Sequence, residues 1–404
     1  MSLDELATER LGAIRARGTY RRMRVVDGTP GPRVRVDGRE AWLFAGSSYL
    51  DLATHPEVVE ASARAARDHG CAAGGSRLIS GNLTLHERLE EELAAFLGTP
   101  AALAFGTGYM ANTGLVPALV GAGDAVVSDE LVHASLIDGC RLSRAAVHVC
   151  AHGDPAALEA TLARVGPSHR RSLVVLDGIY SMDGDRAPLP EMLAAARRHG
   201  ALVLLDDAHG IGCLGPRGRG TAESFGEDGV DVLVGTLGKA LGSFGAFVAG
   251  SARLRELLVN TARSFVFSCA LAPPQVEAAR AALRVIAREP WRRERLASNA
   301  QRLRERLAAH GISTAPSTTH VVPVRLGDSG RAMATCERLL ARGFYAQGIR
   351  WPSVPEGTAR LRITLMATHP VEAIAALADA VVEEVARAAR DADPSCDPVR
   401  APAP

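Results

Sequence analysis

Of the 46 basic residues in this 404-residue chain, a single one is a lysine. It is Lys239, in the segment DVLVGTLGKALGSFG (231–245). Arginine supplies charge and salt bridges as well as lysine does, but its guanidinium stays protonated and offers no neutral primary amine. Imine chemistry needs that amine. Glycines around Lys239 permit tight turns and close approach of a ligand, and Thr236 offers a hydroxyl to a phosphate. Composition alone fits a chance surface lysine equally well; the neighbourhood favours chemistry. In ALVLLDDAHGIG (201–212), Asp206 follows an apolar run and His209 comes three residues later. An acid and a donor placed just beyond a strand suit a heteroaromatic cofactor whose ring nitrogen must stay protonated. A surface turn with an Asx hydrogen bond would use the same residues. FGTGY (105–109) sets Gly108 and Tyr109 at a strand-to-helix turn, where backbone N–H groups bind phosphate. Alone it also fits an ordinary turn or any nucleotide. DELVHAS (129–135) holds His133, an imidazole flat enough to lie on a cofactor ring, or a structural histidine.

These residues need elements to hold them. AALAF (101–105) is a short apolar run that leads into a Gly-containing turn. DAVVSD (124–129), LVVLD (173–177), ALVLLDD (201–207) and DVLVGT (231–236) are short apolar runs that end in polar residues. They predict strands of a parallel sheet buried on both faces. Helical patterns between them predict an α/β architecture, in which ligands sit beyond the carboxyl ends of the strands. LHERLEEELAAFLG repeats Leu89, Leu93 and Leu97 at helical spacing, with Gly98 and Pro100 as a stop. From residue 294 the pattern changes. A long helical stretch, the strand-like HVVPVRLG and LRITL, and an amphipathic helix over 370–390 predict a smaller α+β domain. The expected layout is an N-terminal arm (1–57), a large domain (58–293), a small C-terminal domain (294–388) and a Pro-rich disordered tail (389–404).

Net charge is +1, with 46 basic and 45 acidic residues, so no electrostatic footprint for nucleic acid or anionic membrane is expected. No apolar run reaches the roughly 18 residues of a membrane span. Met1 to Arg17 lacks the apolar core of a secretion signal, and the expected location is the cytoplasm. The seven cysteines form no CxxC pair, so neither zinc, nor any other metal, nor a disulfide framework is expected. There is no Walker pattern and no GxGxxG after a first strand.

The order SGNLTLHERLEEELA, FGTGYMAN, DELVHASL, DGIYSMDGD, DDAHGIGCLGPRGRG and GTLGKALGSFG resembles the α-oxoamine synthases over about residues 18–388. The resemblance implies the aspartate-aminotransferase fold type: a large domain with a mainly parallel sheet flanked by helices, a smaller C-terminal α+β domain and an N-terminal arm. It implies pyridoxal phosphate (PLP) as cofactor, a homodimer, and condensation of an amino acid with an acyl-CoA, or an acyl-carrier-protein thioester, releasing CoA and carbon dioxide. By the same resemblance, Lys239 would carry the cofactor as a Schiff base and act as base at the amino acid Cα. His133 would stack on the ring, Asp206 pair with its nitrogen, and His209 and Ser181 bond its oxygen. Gly108, Tyr109 and Thr236 would hold the phosphate, with Ser268 reaching a phosphate across the dimer. Arg362, rather than Arg360, would bind the amino acid carboxylate, and Arg21, Arg350 and Ser353 would line the acyl side. DDAHGxG and IRWPSVPEGTARLRITLMATH are most similar to the biotin-pathway members, which implies L-alanine and a pimeloyl thioester. Glycine or serine with another acyl thioester is the alternative, and a non-catalytic fold homologue a weaker one, given that Lys239, Asp206 and His209 are all retained. Ser47 stands where the family has an asparagine near the amino acid carboxylate. Asp51, Asp177, Ile211 and Cys269 also depart from the pattern, leaving amino acid and acyl chain open.

Overall fold

The computed structural model describes residues 1–390. They form two compact units. Ser47–Ser181 and Asp185–Leu296 make the larger; Met1–Gly46, Met182–Gly184 and the chain from Ala297 make the smaller.

The larger unit is built on a seven-stranded sheet in the order Ala101–Phe105, Ala246–Gly250, Val232–Thr236, Leu202–Asp206, Ser172–Asp177, Ala125–Asp129, Ala146–Cys150. The last five pair in parallel. Ala246–Gly250 runs antiparallel to both its neighbours. The sheet is therefore mainly parallel, as expected, with one reversed strand. Side chains alternate between its faces, as the pleat requires. Val126, Leu173, Val175, Leu204, Val232 and Val234 pack with Leu115, Leu136 and Leu258 of the helices on one side. Ala125, Val127, Val174, Leu176, Val203 and Leu205 pack with Leu158, Leu162 and Leu193 on the other. Each such Leu or Val contributes roughly 1.5–3 kcal/mol on burial. That double burial is why these strands read as continuous apolar runs.

The helix over Thr84–Leu97 stops at Gly98, whose φ of 75° is the left-handed cap that glycine adopts without a Cβ clash. Two strands of this seven-stranded sheet escaped the sequence reading. Ala146–Cys150 is the sheet edge and is largely exposed, and His148 interrupts its apolar residues. Ala246–Gly250 is buried but built mostly of Ala and Gly.

In the smaller unit, Ala359–Thr364 is the middle strand of an antiparallel three-stranded sheet, between Val321–Gly327 and Gln347–Ile349. The helices Ser329–Ala341 and Val371–Arg390 belong to the same unit. The first 57 residues do not stand apart as an arm. Arg33–Val36 pairs with Arg39–Leu43, and Arg39–Leu43 pairs in parallel with Phe344–Tyr345. Residues 1–46 thereby join the C-terminal residues, while 47–57 fold with the larger unit. Met182–Gly184 also counts with the smaller unit, where Asp183 ion-pairs with the buried Arg360. No helix among the described residues is long and apolar enough to cross a membrane. Residues 391–404 of the expected tail lie outside the described residues.

Candidate active site

Beyond the carboxyl ends of the parallel strands, the larger unit gathers the residues singled out above. Asp177 and Asp206 end adjacent strands and are paired in register. Asp206 is buried at 8% exposure. Its Oδ2 accepts from Asn112 Nδ2 at 2.7 Å and its Oδ1 from the Ala208 N–H at 3.1 Å. Asp177 is pushed well above the usual carboxylate range, first by burial and then by the charge of Asp206.

Next along the chain, the acid Asp207 is fully buried and accepts from the Thr221 N–H and hydroxyl at 2.6 and 2.7 Å. A Cβ at Gly178, Gly210 or Gly220 would collide with its carboxylate. Three glycines thus let the chain close around one carboxylate and fix the DDAHG turn. Burial raises this carboxyl to about 7.

Lys239 lies in the turn after Val232–Thr236, half-buried. The turn is held from inside: the Thr236 hydroxyl donates to the Gly245 carbonyl at 3.0 Å and accepts from the Gly238 N–H at 3.1 Å. The Lys239 amine is 2.9 Å from Nε2 of His209, and Nδ1 of His209 is 2.7 Å from the hydroxyl of the buried Tyr49. Ser47, half-buried, accepts the Tyr49 N–H on its backbone carbonyl at 2.9 Å.

Gly108 begins the helix Gly108–Leu119, whose cap Thr107 accepts from the Met110 N–H. A Cβ on Gly108 would meet nothing within 4 Å, so the positive end of the helix is open to an anion. The exposed Tyr109 directs its hydroxyl to Asp138 at 2.5 Å. His133 caps the helix Ala134–Ser143, its Nδ1 accepting from the Ser135 N–H. Partial desolvation lowers its pKa, against the charge of Asp206 and helped by that of Lys239. Ser181 follows the Ser172–Asp177 strand in the turn closed by the Ile179–Arg186 bridge. Ser268 bonds the Ser264 carbonyl at 2.5 Å.

The remaining expected residues fall in the smaller unit. Arg21, Arg350 and Ser353 line a cavity of about 770 Å³ together with Arg17, Arg22 and Arg24. Its one acid, Glu337, is ion-paired to Arg24. Arg350 donates to the Tyr20 carbonyl at 2.7 Å. Arg362 lies on the middle strand, opposite Pro323 and Gln347. Arg360, two residues earlier, is 2% exposed and bonded to Asp183 and to the Thr358 carbonyl.

The donor set of the larger unit fits pyridoxal phosphate. It has an amine for the aldehyde, an oriented carboxylate for a protonated pyridine and an open helix N-terminus for a phosphate. Among the described residues, no cluster of His, Cys, Asp and Glu could hold a metal ion. Sequence reasoning missed Tyr49, Asn112, Ser135 and Asp207. Asn112 closes FGTGYMAN, one helical turn after Gly108, and that spacing was its only signal.

The sequence matches the family described as aminotransferase class I and II over residues 42–381. It is 51% identical over 365 residues to an 8-amino-7-oxononanoate synthase of Geobacter sulfurreducens, covering 89% of this chain and 92% of that protein. It is 49% identical over 380 residues to one of Methylococcus capsulatus, covering 93% and 98%. Among solved structures, a serine palmitoyltransferase from S. paucimobilis with a bound PLP–myriocin aldimine matches with a TM-score of 0.90 at 33% identity, covering 96% and 100%. An 8-amino-7-oxononanoate synthase from Francisella tularensis matches at 0.74 with 25% identity, covering 86% and 98%.

Proposed function

Because this chain belongs to the class I and II aminotransferase family, in the branch of the 8-amino-7-oxononanoate synthases, we propose that it joins L-alanine to a pimeloyl thioester. The carboxyl of alanine leaves as carbon dioxide and the thiol as CoA, or as the carrier-protein thiol. The enzyme is a PLP-dependent acyltransferase. The observation that carries the reading is the contact of the sole lysine's amine with His209, in a unit where Asn112 and the Ala208 N–H orient the Asp206 carboxylate.

Pyridoxal phosphate, when bound, supplies the electron sink for the carbanion at the alanine Cα. Asp206 would keep a proton on the ring nitrogen, and His209 and Ser181 would bond the ring oxygen. Gly108, Tyr109 and Thr236 would hold the phosphate, with Ser268 serving the partner's site in a homodimer. Lys239 would bind the cofactor and then move the Cα proton, a task for an amine tuned to lose its charge. His133 would lie on the ring, with Ser47 nearby. Arg362, favoured over Arg360 by its place in the family's motif, would take the alanine carboxylate. Arg21, Arg350 and Ser353 would meet the acyl chain, whose far carboxylate suits an arginine-rich wall. The reaction belongs in the cytoplasm, where the cysteines stay reduced.

The likeness to serine palmitoyltransferase at a TM-score of 0.90 supports one second reading: serine with a long-chain acyl thioester. One assay separates them. CoA release is measured with alanine, glycine and serine, each against acetyl-, succinyl-, pimeloyl- and palmitoyl-CoA. Release with alanine and pimeloyl-CoA alone is expected. Release with serine and palmitoyl-CoA would replace this reading with the second.

A further inference from the structure

Asn112 joins two groups that the reaction treats separately. It is 1% exposed, on the helix that begins at Gly108. Its amide nitrogen donates one hydrogen to Asp206 Oδ2 at 2.7 Å and the other to Ser135 Oγ at 2.9 Å. Its Oδ1 is buried with no hydrogen-bond partner. The reverse amide orientation would aim that oxygen at the Asp206 carboxylate, acceptor against acceptor, so the orientation is fixed.

Ser135, also 1% exposed, accepts from Asn112, which leaves its own hydrogen for His133 Nδ1 at 2.7 Å. The Ser135 backbone N–H, which can only donate, points to the same Nδ1 at 3.3 Å. Two donors on Nδ1 leave no place for a proton there. The ring must be neutral and carry its hydrogen on Nε2. The two helices approach closely enough for this because position 139 is glycine: a Cβ there would lie 2.7 Å from the Asn112 carbonyl oxygen.

We propose that Asn112 and Ser135 are positioning residues that hold the Asp206 carboxylate and the Nε2–H form of His133 as one coupled unit. The charged groups around His133 are Asp206, Lys239 and Asp177, whose Oδ1 accepts the His133 N–H at 3.3 Å. Burial and the charge of Asp206 push the Asp177 carboxyl well above the usual carboxylate range. The histidine part of the proposal stands on hydrogen-bond geometry. The Asp206 part rests on the cofactor reading above.

The test uses full-length protein purified with pyridoxal phosphate and carrying isotope-labelled histidine. The His133 imidazole nitrogens, identified by their loss in His133→Asn, are followed by NMR from about pH 9 to about pH 5. Affinity for pyridoxal phosphate is read in parallel by spectral titration, and folding by thermal denaturation. Wild type should show the Nε2–H tautomer. Ser135→Ala should mix the tautomers and raise the midpoint by about half to one pH unit, because a bond to the neutral form is lost. Ser135→Thr, which keeps the hydroxyl, should restore both. Asn112→Leu should shift His133 in the same direction and weaken pyridoxal phosphate binding about tenfold. If Asn112→Leu does not fold, Asn112→Ser replaces it; its single hydroxyl hydrogen serves Asp206 or Ser135 but not both, so at least one readout must move. An unchanged tautomer and midpoint in Ser135→Ala overturns the proposal. So does an Asn112 variant that moves neither readout. A protein that takes up no pyridoxal phosphate overturns the cofactor reading and leaves the histidine titration to decide this one.

Discussion

The Lys239 amine meets His209, and His209 meets Tyr49, so three side chains fix where one nitrogen points. Lys239→Arg keeps a positive charge and removes the only side-chain amine able to lose it. The variant should fold with wild-type thermal stability. It should bind no cofactor that borohydride can fix, and lose at least about 100-fold in turnover. CoA release and retained absorbance after reduction check this together. Tyr49→Phe is a subtler probe. It removes the hydroxyl bonded to Nδ1 and frees His209 to change tautomer. The pH midpoint of the holoenzyme's visible absorbance should move, while thermal stability falls by only about 1 kcal/mol. An unmoved midpoint would confine Tyr49 to packing. Lys239, Asp206 and His209 are conspicuous in the sequence, as the sole lysine and as an acid and a histidine just beyond an apolar run. Tyr49 and Asn112 are not, since their partners lie far along the chain and only the fold brings them near.

Turns, more than strands, give this site its shape, and two of them hinge on carboxyl groups. His152 has both ring nitrogens on carboxylates, Asp129 and Asp185, each at 2.9 Å. Asp185 closes the turn that carries Ser181, its carbonyl accepting the Tyr180 N–H at 3.0 Å. Burial opposes charge on His152, but the two carboxylates outweigh it and raise the imidazole to about 10. Folding thus raises this group above its unfolded value of roughly 6.5. Its stabilisation is complete below that pH and is lost as pH climbs toward 10. His152→Gln should therefore destabilise most at pH 6 and progressively less up to pH 10, as a series of melting curves would show. A gap that widens with pH would contradict the ion pair. The glycine cage around Asp207 makes the other case. Gly210→Ala pushes a methyl into the carboxylate and should cost about 1–3 kcal/mol by denaturant unfolding. Strands buried on both faces were readable as apolar runs. These turns were not, because their logic is hydrogen bonding between distant segments.

At the scale of the whole molecule, the chain separates its chemistry by charge. The larger unit offers one amine and several buried carboxyls; the smaller offers a cavity lined by Arg17, Arg21, Arg22, Arg24 and Arg350. A hydrogen bond to a charged group contributes about 1.5–3 kcal/mol. Arg21→Gln should therefore raise KM for pimeloyl-CoA about tenfold or more and leave pyridoxal phosphate affinity unchanged. An equal effect on acyl chains with no far carboxylate would refute that assignment. The division into units has a sequence signal at Leu296, near the change of periodicity at residue 294. It was not legible at the N-terminus, because the pairing of Arg39–Leu43 with Phe344–Tyr345 spans some 300 residues. The sole lysine has a further use. A protease that cleaves only after lysine can cut this chain at one peptide bond, Lys239–Ala240. Once borohydride has sealed the cofactor onto that side chain, the bond should resist the enzyme. The ratio of intact chain to two fragments on a gel then counts the fraction of molecules that had been charged for catalysis.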